Sequence, residues 1–256
     1  MRRTGIALVA LAIAIMIALP AEARQLKMIF WYPGEAGTSE EGQPVIDAFL
    51  DYLNGGISPD RIAGRYVNSI DGGLAYIKSD KPALGILSYA AWFQNRAKFL
   101  KAAAILSTLP LPSGQSTESY ELVSGSGKIP AKAGVISSEP LTREFVRSEL
   151  FPEIPGDASF ARTGQMIFKL KEIGEGRSGA VAILTPVESA ALSKISASWA
   201  AGVKRIRLSK ALPTARVVLF DPSFDASKIK AALLTAGSDP KAKEILTEMR
   251  LKGFSN

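Results

Sequence analysis

LKMIFWYPGEAGTSEEGQPVIDAFLDYL, residues 26–53, is the stretch on which the fold turns. Residues 26–32 form a short apolar run fit for a buried strand, and Pro33-Gly34-Glu35-Ala36-Gly37 breaks it. Thr38-x-x-Glu41 then has the form of a capping box. Behind it Val45, Ile46, Phe49, Leu50 and Leu53 recur on one helical face. Pro44 fits only near the first turn of that helix. A buried strand, a Gly/Pro break and an amphipathic helix make the first half of a βαβ unit.

The unit repeats downstream as pattern, without a sequence repeat. Residues 61–68 read as a strand, 71–78 as a helix, 83–88 as a strand and 89–99 as a helix, and this alternation argues for a parallel sheet. Residues 102–109 are apolar and extended, and Pro110-Leu-Pro112-Ser-Gly114 ends the run. A second α/β set follows, with strands at 119–124, 133–136 and 179–184 and helices at 141–150, 165–173 and 187–195. Strands at 203–208 and 216–220 flank Leu212-Pro213, and helices at 227–236 and 241–251 close the chain. Two breaks with α/β patterns on both sides predict an α/β fold of two lobes, the second inserted into the first. Residues 24–110 and 209–256 make lobe one, and 111–208 make lobe two.

Residues 1–23 read as an address. Arg2 and Arg3 form a positive n-region, residues 6–19 an apolar h-region, and Ala21-Glu22-Ala23 an A-x-A cleavage pattern, so a mature N-terminus at Arg24 and a periplasmic location are expected. Removing two arginines and one glutamate with this segment lowers the net charge from +7 to +6. An exported basic protein meets no genome, and no nucleic-acid partner is expected.

Composition excludes much chemistry. With no histidine and no cysteine the chain lacks the usual general base near neutral pH, the thiol nucleophile and the common zinc ligands. No metal and no cofactor are expected. Gly125-Ser126-Gly127-Lys128 is not a phosphate loop, because Leu122 stands where the motif needs Gly and Ile129 where it needs Ser or Thr. A rival enzymatic reading rests on a carboxylate pair drawn from Glu35, Glu40, Glu41, Asp71 and Glu188. A plain structural role is the other alternative.

In open α/β sheets ligands gather at the carboxyl ends of strands, where helix N-termini offer unpaired N–H groups. The candidates there are Tyr32, Thr38, Ser69, Asp71, Ser88 and Tyr89 from lobe one, and Ser137, Ser138, Thr163 and Thr185 from lobe two. Each hydroxyl can cap its helix or donate to an anion. Tyr32 and Tyr89 can also offer ring faces.

Three phrases carry a family resemblance: Ala83-Leu-Gly-Ile-Leu-Ser88-Tyr-Ala90, Ser209-Lys-Ala-Leu-Pro213 before the return strand, and Ile245-Leu-Thr-Glu-Met-Arg-Leu-Lys-Gly-Phe254 at the end. With the order of elements, they resemble the substrate-binding proteins of phosphate/phosphonate-type ABC transporters, within the type II periplasmic binding fold. The resemblance implies a two-lobed monomer that closes on a small, anionic solute and delivers it to an inner-membrane permease. A periplasmic subunit that senses a ligand for a membrane signalling protein would use the same lobes. Two departures stand out. Ser137-Ser138-Glu139-Pro140 replaces the family's serine-rich run ending in glycine, and Gly179 occupies the acidic place of its G-x-x-D-A entry.

Overall fold

The computed structural model describes residues 23–35 and 37–256. Residues 1–22 of the segment read as a signal peptide lie outside the described residues.

Strand β1 (Gln25–Trp31) buries Met28 and Phe30 in one core cluster and Ile29 and Trp31 in another. The side chains alternate, yet both sets are covered, as in a parallel strand with helices on each face. Helix α1 (Ser39–Ile57) begins at the expected capping box: Glu41 N–H donates to Thr38 Oγ1 at 3.1 Å, and Thr38 N–H to Glu41 Oε2 at 2.7 Å. It buries Ile46, Phe49, Leu50, Leu53 and Ile57. Pro44 sits inside the helix, one turn later than expected.

There follow β2 (Arg61–Val67), α2 (Ile70–Asp80), β3 (Leu84–Leu87), α3 (Tyr89–Asn95) and β4 (Ala103–Pro110). The helix expected over 89–99 is cut at Asn95 and gives way to a 3-10 turn over Arg96–Lys98. Short β5 (Thr117–Glu118) leads to lobe two, made of β6 (Glu121–Ser124), β7 (Gly134–Ser137), α4 (Arg143–Phe145, continued by a π turn over Val146–Leu150), β8 (Ser159–Arg162), α5 (Met166–Gly174), β9 (Val181–Leu184), α6 (Pro186–Leu192) and β10 (Lys204–Leu208). The chain returns through β11 (Leu212–Pro213) to β12 (Arg216–Leu219), α7 (Ser227–Ala236), α8 (Pro240–Glu248) and β13 (Leu251–Ser255).

Lobe one is a six-stranded sheet in the order β13-β4-β12-β3-β1-β2, and lobe two a five-stranded sheet in the order β10-β6-β9-β7-β8. Strands from both ends of the chain share the first sheet, and the middle of the chain makes the second. Lobe two is therefore inserted into lobe one.

Two expectations are corrected. The closing helix expected over 241–251 stops at Glu248, and Leu251–Ser255 turns back as an antiparallel partner of β4. Arg250 reverses the chain at φ +56°. Strand β8, unread in the sequence, is an edge strand with little burial and carries no hydrophobic signal.

The two segments that join the lobes hold each other. β5 and β11 pair antiparallel, with Leu212 opposite Glu118 and Pro213 opposite Thr117. Tyr120 N–H donates to Ser209 Oγ at 3.0 Å, and buried Thr214 donates through Oγ1 to the Thr108 carbonyl at 2.6 Å.

Candidate functional site

The carboxyl ends of β1 and β3 in lobe one face those of β7 and β9 in lobe two, and the lobes meet closely there. Gly34, at φ +99°, lies so near the facing loop that an added Cβ would stand 2.7 Å from both the Ser138 carbonyl oxygen and Glu139 Cα. Glycine is required at this contact on both counts. Helix α3 is planted in the other lobe. Ala90 is only 3% exposed and belongs to the lobe-two core with Tyr120, Leu122 and Phe145. The rings of Tyr89 and Phe93 lie 6.2 and 5.5 Å from that of Phe145. Between the lobes runs a narrow crevice lined among others by Pro33, Ser88, Gln94, Glu139 and Pro140.

Most of the expected hydroxyls act as caps. Ser69 Oγ accepts from Gly72 N–H at 3.2 Å and Ser88 Oγ from Ala91 N–H at 3.3 Å, whereas Thr163 caps no helix and its Oγ1 accepts from Gln165 N–H at 3.1 Å in the turn before α5. Thr185 forms a second capping box with Glu188, taking its N–H at 3.3 Å while Glu188 Oε2 takes the Thr185 N–H at 2.9 Å. Thr38 is engaged with Glu41 as above, and Asp71 is exposed in the first turn of α2. A capping oxygen accepts, so the hydroxyl hydrogen can still donate elsewhere, and that of Thr185 goes to Glu188 Oε2 at 3.1 Å. Ser137, which is buried, uses its own on the Glu139 carbonyl at 2.7 Å. The Ser138 carbonyl accepts from Arg162 Nε at 3.0 Å.

The geometry thus brings Ser88, Ser137 and Ser138 around Glu139. Thr38 and Asp71 stay at exposed helix starts, and Tyr89 faces the aromatic cluster.

Four residues that the sequence reading did not list stand at the centre: Gln94, Glu118, Tyr120 and Glu139. Tyr120 Oη donates to Glu139 Oε2 at 2.7 Å. Burial pushes the Glu139 carboxyl up to about 8, the Tyr120 hydrogen bond acting against it and the neighbouring carboxylates Glu118, Glu188 and Glu35 adding to it. Burial alone lifts Glu118 to about 7. Both side chains keep partial contact with solvent, yet protein packs densely around them, and it is this packing that disfavours charge. Tyr32, deep between Glu35, Tyr66 and Glu118, has its phenol raised well above the ordinary range, by burial first and then by Glu35. The charges that act on Glu139 are all of one sign. Glu139 was legible as a departure from the family pattern, whereas Glu118 and Tyr120 lie beside a break and gave no signal.

Elsewhere, a hollow of about 420 Å³ opens at the far end of the lobe-two sheet beside Ser124, Gly125, Ser126 and Lys204. No helix follows the Gly125–Lys128 turn there, so it is a loop as expected. No group of three or more acidic residues among the described residues is placed to hold a metal ion. No helix among them is long and apolar enough to cross a membrane.

No family model matches the chain, and no curated protein matches it. Solved structures do. The chain is similar to a binding protein component of an ABC phosphonate transporter from Pseudomonas aeruginosa, at 12% identity over 91% of this chain and 82% of that one, TM-score 0.63. It is similar to PhnD1 from Prochlorococcus marinus (MIT 9301) in complex with methylphosphonate, at 11% identity over 90% and 92%, TM-score 0.62. An ancestral arginine-binding protein bound to arginine aligns at 12% identity over 89% and 99%, TM-score 0.52. At such identities the likeness is one of fold, and the fold is that of the two-lobed type II periplasmic binding proteins, here far diverged in sequence.

Proposed function

We propose that the chain is a periplasmic solute-binding protein, monomeric, which captures a small molecule between its lobes and hands it to an ABC permease in the inner membrane. The fold supports capture, since the strand ends of two lobes converge on one cleft and two paired segments join them. The solute expected from the sequence was an oxyanion. The cleft argues for the opposite sign.

The observation that carries this is the pair Glu118 and Glu139, two carboxyls held near neutrality by burial, with further carboxylates and no basic group among the charges that act on Glu139. An anion placed there would meet the like charge of the neighbouring carboxylates Glu35 and Glu188 in a poorly hydrated site. A protonated amine or guanidinium would instead draw the carboxyls into ionic form and donate charge-assisted hydrogen bonds to them. Proteins of this fold carry ligands of either sign, methylphosphonate in one structure and arginine in another. The sign must then come from the residues in the cleft.

Native mass spectrometry of protein purified from its own periplasm tests capture through a retained small molecule. Calorimetric titration with arginine, putrescine and methylphosphonate tests the sign. Binding of a cationic probe with proton release, tighter at pH 8 than at pH 6, is expected. Binding of methylphosphonate alone would restore the oxyanion.

A further inference from the structure

Gln94 reaches across the cleft. It belongs to α3 in lobe one, where its Nε2 donates to the Ala90 carbonyl at 3.0 Å, and the same nitrogen lies 3.4 Å from the carbonyl oxygen of Pro140 in lobe two. Its Oε1 accepts the Thr142 N–H at 2.5 Å. Thr142 is the residue that caps α4, its Oγ1 accepting from Phe145 N–H at 3.2 Å. One carboxamide therefore engages both ends of the short loop from Pro140 to Thr142, using a donor and an acceptor at once.

We infer that Gln94 is an interlobe latch: its carboxamide holds the lobe-two loop 139–142 against α3, and a solute entering the cleft has to break that hold. The inference rests on the solute-binding reading above. Three contacts support it. The latch sits on a helix fixed by Ala90 in the lobe-two core. Gln94 lines the interlobe crevice together with Pro33, Ser88 and Glu139, so it stands where the two lobes face each other. Gly34 lets the facing backbones touch at Ser138 and Glu139, so the latch closes over a seam already in contact. A neutral amide also suits the place, since a carboxylate there would add charge near Glu139 and an aliphatic chain would leave the Thr142 N–H without its acceptor.

The chain contains no cysteine, so nitroxides attached at Asp51→Cys in α1 and Lys171→Cys in α5 report one interlobe distance without background labelling. Gln94→Met keeps the length and removes both interlobe hydrogen bonds, along with the one to Ala90. A net hydrogen bond shifts such an equilibrium by about two- to tenfold, so the distance distribution should move to longer values. Amide exchange at Thr142 should rise by about threefold or more. Gln94→Glu keeps the acceptor and loses the donor, and should lengthen the distance and raise Thr142 exchange, both by less than Gln94→Met does. A folded Gln94→Met or Gln94→Glu protein with the wild-type distance, or Thr142 exchange equal in wild type and Gln94→Met, overturns the latch. If Gln94→Met does not fold, the distance in Gln94→Glu decides. These readouts need no solute, so they can fail while a retained molecule is found, and succeed when none is.

Discussion

Tyr120 Oη stands 2.7 Å from Glu139 Oε2 and donates to it, and this bond is the one influence that draws the Glu139 proton off against burial and three neighbouring carboxylates. The pair sets the polarity of the cleft. Its removal makes the first prediction: Tyr120→Phe should raise the Glu139 pKa further above about 8, followed by carbon-13 titration of the side-chain carboxyl. A downward shift would mean that another donor holds the group.

Stability should depend on pH in an unusual sense. Glu139 and Glu118 bind protons more tightly in the folded chain than at their ordinary value of 4.5, so the folded state holds more protons between that value and about 8. Their contribution is complete below about pH 4.5 and is lost progressively as the pH rises to about 8. Glu121 works the other way, burial opposing and the Arg205 and Ser189 hydrogen bonds prevailing to lower it, so its contribution disappears only as the pH falls below the ordinary carboxylate range. Urea melts should give a higher midpoint at pH 5.5 than at pH 8.5, and Glu139→Gln should flatten the difference. A wild-type midpoint that climbs over this interval would contradict the assignment.

Gly34→Ala should force the seam apart. Its Cβ meets backbone at 2.7 Å, whereas Gly37, at a similar φ of +89°, would direct a Cβ only at the flexible end of Glu41. Both alanines carry a backbone strain of about 1–2 kcal/mol. Only Gly34→Ala should enlarge the radius of gyration in small-angle scattering and weaken solute capture by about tenfold or more. Equal behaviour of the two variants would show that the seam yields without opening.

Ser88→Ala and Ser138→Ala separate capping from binding. Ser88 accepts from Ala91 N–H, so its loss should cost about 1 kcal/mol in thermal unfolding whatever else it does. Ser138 caps no helix, and its loss should leave the melt nearly unchanged. If both hydroxyls hydrogen-bond the solute recovered by mass spectrometry, each alanine should weaken its binding by about tenfold in calorimetry. Full affinity in both would confine them to structure.

The architecture was legible because it rests on local signals. The capping box at Thr38, the Pro/Gly breaks at 110–114 and the apolar runs of β1, β3 and β9 each mark an element without reference to the rest of the chain. β8 and β13 were invisible because an exposed edge strand and a five-residue return strand around Gly253 owe their conformation to partners distant in sequence. The site divides in the same way. Ser69, Ser88 and Thr185 could be placed at helix starts from sequence alone, since a cap is a local device. Gln94 could not be found, because its partners lie 46 and 48 residues away. Glu118 could not be found either, because it lies in a two-residue strand paired with Leu212–Pro213, far along the chain.

The pairing of β5 with β11 has a mechanical consequence. Two independent strands would let the lobes twist, shear and swing, but a hydrogen-bonded ribbon is stiff within its plane and soft across it. The molecule is left with essentially one easy coordinate, and every contact along the seam is strained or relieved along it together. The energies of Gly34, Gln94 and Glu139 are then readings of a single variable. Their double substitutions should fall short of additivity, the second adding little once the first has let the ribbon flex.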